Sequence, residues 1–105
     1  MKISKEDAIA YLAKWHDASA EVKAVYRTSA TRLQVIGIVE ELSPTAIKVV
    51  APQAEILIYF GDTSNYEYHD GRATDFDGAL GVDKYPIFIE VMVNSGERLE
   101  VSEYL

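Results

Sequence analysis

A chain of 105 residues has room for one hydrophobic core, so a single domain over 1–105 is expected. Hydrophobic residues at 49% and charged residues at 26% exclude a disordered tail, and the absence of cysteine excludes disulfides, thiol catalysis and cysteine zinc sites. Seventeen acids against ten bases leave a net charge of -7, opposite in sign to the field that draws proteins to nucleic acid, so RNA is disfavoured as a partner. Acids follow Ser4 and Lys5 directly and no long apolar run is present. Neither a signal peptide nor a membrane span is expected, and the expected location is cytoplasmic.

A helix is predicted over about residues 4–20. Ser4 offers an N-cap hydroxyl, Glu6 and Asp7 sit in the first turn, and Ala8, Ile9, Tyr11, Leu12, Trp15 and His16 crowd one side. The hydrophobic period then changes from helical to alternating. Strands are predicted over Val22–Thr28 and from Leu33 to about Leu42, where Gly37 marks a bend or bulge. A Ser43-Pro44-Thr45 turn leads to a third strand, Ala46–Val50. Beyond Pro52, the segment Ala54–Phe60 is apolar on both faces, through Ile56, Leu57, Ile58, Tyr59 and Phe60. Such a strand needs cover on both sides, from the helix or from another subunit, and these five residues are the candidate interface.

Residues 61–84 form an irregular excursion, within which Tyr66–Asp70 reads as a hairpin arm turning at Asp70-Gly71 or as a continuation of the sheet. The chain closes with a hairpin of Ile87–Val93 and Arg98–Tyr104 about an Asn94-Ser95-Gly96-Glu97 turn, with Ile89 and Val91 facing Leu99 and Val101.

No constellation of residues demands one chemistry. Asp75, Asp77 and Asp83 lack the spacing of a calcium loop, since Gly78 follows Asp77 directly and Pro86 replaces the closing glutamate, so no metal site and no cofactor are expected. His69 beside Asp70 resembles a base and its orienting acid, but strand alternation points neighbours to opposite faces, so a non-catalytic protein is expected. His16 is read as a packed residue of the helix face. For a nucleic-acid or nucleotide ligand the candidates are Tyr66, Tyr68 and His69 as stacking or contact residues and Arg27, Arg32, Ser43 and Lys48 on the early strands.

The N-terminal helix, the long strand Leu33-Gln34-Val35-Ile36-Gly37-Ile38-Val39 with its central glycine, and the short strands after it resemble the Sm-like family of small barrels. That resemblance covers the helix and residues 22–60 and implies a ring assembled by edge-to-edge strand pairing, often with RNA as ligand. The Asp and Asn-Gly signatures that hold uridine in that family are not found here. Arg27 and Arg32 followed by Glu41-Leu42-Ser43-Pro44-Thr45-Ala46 resemble the PilZ family, which implies that Arg27, Arg32 and Ser43 would grip a cyclic dinucleotide.

The expected fold is α+β and mostly β: an N-terminal helix followed, over about residues 22–105, by a five-stranded, strongly bent antiparallel barrel of SH3-like or Sm-like form. The expected function is a non-catalytic module that forms homo-oligomers or binds a protein partner. The alternatives are a single-stranded RNA or nucleotide binder, and a small enzyme or metal-binding protein using residues 66–83.

Overall fold

The computed structural model describes residues 1–60, 64–70, 87–94 and 96–104. Its elements in chain order are β1 (Lys2–Ile3), α1 (Lys5–Asp17), β2 (Glu21–Arg27), β3 (Arg32–Leu42), β4 (Ala46–Ala51), β5 (Ala54–Tyr59), β6 (Asn65–Asp70), β7 (Ile87–Asn94) and β8 (Glu97–Glu103). The strands form one antiparallel sheet in the order β1-β6-β7-β8-β2-β3-β4-β5. The fold is therefore α+β and mostly β, but an unclosed eight-stranded sheet replaces the expected five-stranded barrel. Two of the additional strands lie where the sequence signal is weakest. Lys2–Ile3 is too short to show a period, and Asn65–Asp70, at the head of the expected excursion, is a strand paired on both sides. The Asp70-Gly71 turn and the acids Asp75, Asp77 and Asp83 lie outside the described residues.

Helix α1 starts where the cap chemistry places it. The Asp7 N–H donates to Ser4 Oγ at 3.1 Å, Glu6 and Asp7 face the positive end of the dipole, and Lys14 and His16 lie in the last turn. At the other end Ser19 takes a left-handed φ of 50°. Its N–H donates to the His16 carbonyl and that of Ala20 to the Trp15 carbonyl, so these two carbonyls of the last turn are satisfied. Ala8 and Leu12 are fully buried, with Ile9, Tyr11 and Trp15 packed beside them against one face of the sheet.

That inner face carries the core. Ala24 opposes Val35 on one side and Val101 on the other, and Val101 in turn opposes Ile89. Ile47, Val49 and Ile56 extend the buried surface through β4 and β5. The sheet curls strongly. Phe60, next to the last strand in the order, meets Tyr66 on the second strand edge-on, with ring centroids 6.1 Å apart.

Gly37 permits a close crossing: a Cβ there would overlap the Val50 carbonyl of β4. The irregularity in the ladder falls slightly later, between Val39 and Glu41. The bend read from Gly37 is thus shared between a glycine that admits a neighbouring backbone and a bulge just beyond it. The sheet has two unlike edges. β1 is two residues long, whereas β5 runs for six, and among the described residues nothing pairs with its outer side.

Candidate functional site

The free edge of β5 is positioned by a tight hairpin. β4 and β5 pair from Ala51↔Ala54 to Ala46↔Tyr59 without interruption, and the Phe60 N–H donates to the Thr45 carbonyl at 2.8 Å. Backbone direction alternates along a strand, so the N–H and C=O groups of Ala54, Ile56 and Ile58 face β4 and those of Glu55, Leu57 and Tyr59 face outward. The side chains alternate too: Ile56 and Phe60 enter the core, while Leu57 is 44% and Tyr59 68% exposed. Beside this edge lies a groove of about 470 Å³ lined by apolar Tyr26, Leu33, Ile56, Leu57, Tyr59 and Val93. Its polar rim is Glu55 and Glu97. Burial, and then the adjacent Glu97 carboxylate, hold the Tyr26 phenol above its ordinary pKa. Lys48 bridges Glu40 at 3.2 Å and Glu55 at 3.5 Å, and the Glu40 hydrogen bond with the Glu55 charge raises its pKa, so the charge of Glu55 is answered within the chain.

The outer face of β6, β7, β8 and β2 is a grid of charges set by register. Glu67 opposes Glu90, and Glu90 opposes Glu100, so one row carries three carboxylates on adjacent strands. The row on one side is Met92, Arg98 and Arg27; that on the other is His69, Phe88, Ser102 and Lys23. Like charges directly opposed destabilise a sheet unless something answers them. Arg98 Nη1 donates to Glu90 Oε2 at 3.2 Å, and Arg27 lies 3.3 Å from Glu100 Oε1. His69 Nε2 lies 3.2 Å from Glu90 Oε1 and 3.7 Å from Glu67 Oε1. Its ring stacks on Phe88 at 4.4 Å with 13° between the planes. Burial, followed in order by Arg27 (lowering), Glu90 (raising) and then Arg98 and His69 (lowering), leaves the Glu100 carboxyl above the ordinary glutamate range.

The candidate ligand residues are not gathered into one site. Arg27 and Arg32 are directly opposed at the tip of the β2–β3 hairpin, where Arg32 also donates to Gln34. Ser43 belongs to its own turn, its Oγ accepting the N–H groups of Thr45 and Ala46. Lys48 serves the Glu40 and Glu55 bridges. Tyr66 is buried in the core against Phe60, and Tyr68 packs on Tyr11 with centroids 5.0 Å apart. This corrects the reading of Tyr66 as a base-stacking residue, since strand alternation turns it to the inner face. Of Tyr66, Tyr68 and His69, only His69 faces outward, on the same face as Glu67. The side chain of Asp70 lies outside the described residues.

Glu67, Glu90, Arg98 and Glu100 escape sequence reasoning. The i, i+2 spacing of Glu67 and His69 is a local sign of a shared strand face, but Glu90 joins them only through the β6–β7 register. Among the described residues no helix is long and apolar enough to cross a membrane. No protein-family model, curated protein or solved structure was found to match the chain.

Proposed function

We propose that this protein is a self-associating, non-catalytic module that pairs with a second copy of itself along β5. The observation that carries this reading is the outer edge of a six-residue strand, unpaired among the described residues, that exposes Leu57 and Tyr59. Soluble proteins blunt long edges with lysine, proline, bulges or cover, because a free ladder of N–H and C=O groups templates pairing. Within Ala54–Tyr59 there is no lysine or proline, Glu55 is the one charge, its pairing with β4 is regular, and among the described residues nothing covers the outer side. The opposite edge is blunted by brevity.

The inequality of the edges also favours a two-fold pair over a ring. A ring of the kind the Sm-like resemblance implies joins two different edges head to tail, and a two-residue β1 offers too few backbone groups for that. Self-pairing of β5 across a two-fold axis needs only one edge. An antiparallel register centred on Leu57 brings Leu57 against Leu57 of the second copy and Tyr59 against Glu55. It opposes no like charges and matches the outward-facing backbone groups of Glu55, Leu57 and Tyr59. The groove lined by Tyr26, Leu33 and Val93 continues the apolar surface beyond the edge, where side chains of the second copy would seat.

The test is a pair of variants read by sedimentation. Leu57→Lys places facing charges at the centre of the register. Tyr59→Pro removes an outward N–H while leaving the Ile58 and Phe60 bonds to β4 intact. Both are expected to sediment as monomers with far-UV circular dichroism unchanged. Unaltered sedimentation of both folded variants would place any association elsewhere and end this reading.

A further inference from the structure

We propose that Glu67, His69 and Glu90, on the outer face of β6 and β7, form a three-ligand site for a divalent transition-metal ion of the zinc class. One potential ligand atom from each of the three lies within 4.8 Å of the others, the only such convergence of histidine and carboxylate groups among the described residues. Around a tetrahedral zinc ion with bonds of roughly 2.0–2.1 Å, neighbouring ligand atoms stand about 3.3 Å apart. His69 Nε2 already lies 3.2 Å from Glu90 Oε1 and 3.7 Å from Glu67 Oε1. Small side-chain rotations therefore bring three ligands to bonding geometry and leave the fourth position for water or a partner's group.

The surroundings hold the ligands in place. Phe88 stacks on the His69 ring and fixes its plane. Arg98 engages Glu90 through Oε2, which leaves Oε1 turned toward His69. That is the role a supporting partner plays for a ligating carboxylate. All three ligands project from paired strands rather than loops, so their spacing is set by the ladder: Glu67 and Glu90 are direct cross-strand partners, and His69 is two residues along from Glu67. Glu90 is only 8% exposed, an uncommon place for a carboxylate without strong compensation.

The chemistry of the donor set narrows the ion. One imidazole with two carboxylates suits zinc, manganese or iron(II) in preference to calcium or magnesium, which favour all-oxygen sites. The surface lies on the opposite side of the sheet from the helix and does not include β5, so this site and the self-association are independent.

The experiment is isothermal titration of the full chain, stripped with chelator and dialysed free of it, with zinc chloride alone. One zinc per chain is expected, together with a rise in melting temperature at saturation. His69→Ala and Glu67→Gln are each expected to weaken binding by at least roughly tenfold, the lower end of what loss of even a supporting partner costs at metal sites. Glu67→Gln leaves the Arg98–Glu90 pair in place, so it reports on binding even if a change at Glu90 impairs folding. Absence of heat and of any thermal shift in the folded wild type would overturn the site. Zinc binding of undiminished affinity in folded His69→Ala would do the same.

Discussion

Among the described residues Ser19 is the one non-glycine residue in the left-handed region. A non-glycine residue at φ 50° carries a cost of roughly 1–2 kcal/mol from its Cβ, accepted here because the turn closes the last bonds of α1. Ser19→Gly is therefore expected to stabilise the fold by about 0.5–1 kcal/mol, seen as a higher urea midpoint with unchanged slope. Glu100 makes a second residue-scale prediction. Its folded pKa is raised, so the folded state holds this proton more tightly than the unfolded chain does. Its contribution is fully present below the ordinary glutamate value and falls as pH rises toward the raised one. In metal-free buffer, the stability of Glu100→Gln relative to wild type should shift in the variant's favour as pH climbs through that window. A difference that stayed level or moved the opposite way in urea melts would show that burial is not what governs Glu100.

At the scale of elements, local signals were readable and register was not. Ser4 with the acids after it announced α1, and the β-branched runs located β2 to β5, β7 and β8 to within a residue or two. Gly37 announced a special position without saying which kind. Its neighbour, the Val50 carbonyl, comes from another strand, so the need for glycine is tertiary. Gly37→Ala is expected to cost about 1–3 kcal/mol, since a Cβ must displace backbone rather than a flexible side chain. Thermal melts check this, and a loss below that range would mean that β4 yields easily. The charged grid was illegible for the same reason as the Gly37 contact. Glu67 and His69 show the alternation of one strand, but only the pairing of β6 with β7 brings Glu90 between them. The chemistry of Tyr66 and Tyr68 suggests base stacking, whereas the phase of β6 sends both to the inner face. The alternation of Tyr66 and Tyr68 with Glu67 and His69 separates two faces, but tyrosine suits a core and an exposed surface alike, so it does not state which face is buried.

For the whole molecule, the apolar content of Ala54–Phe60 posed a question that the sequence left open, namely whether the helix or another subunit covers its second face. The structure packs α1 against the inner face and leaves Leu57 and Tyr59 outside. Among the described residues nothing pairs with that edge, and the proposed second copy meets its geometry. The most direct measurement is the absolute mass of the wild-type chain by light scattering after size exclusion, over a range of loading concentrations. Two-fold pairing through β5 requires a species of twice the 11.7 kDa chain mass at the higher concentrations. A mass of 11.7 kDa throughout, or that of a closed ring of several subunits as the Sm-like resemblance implies, would contradict it.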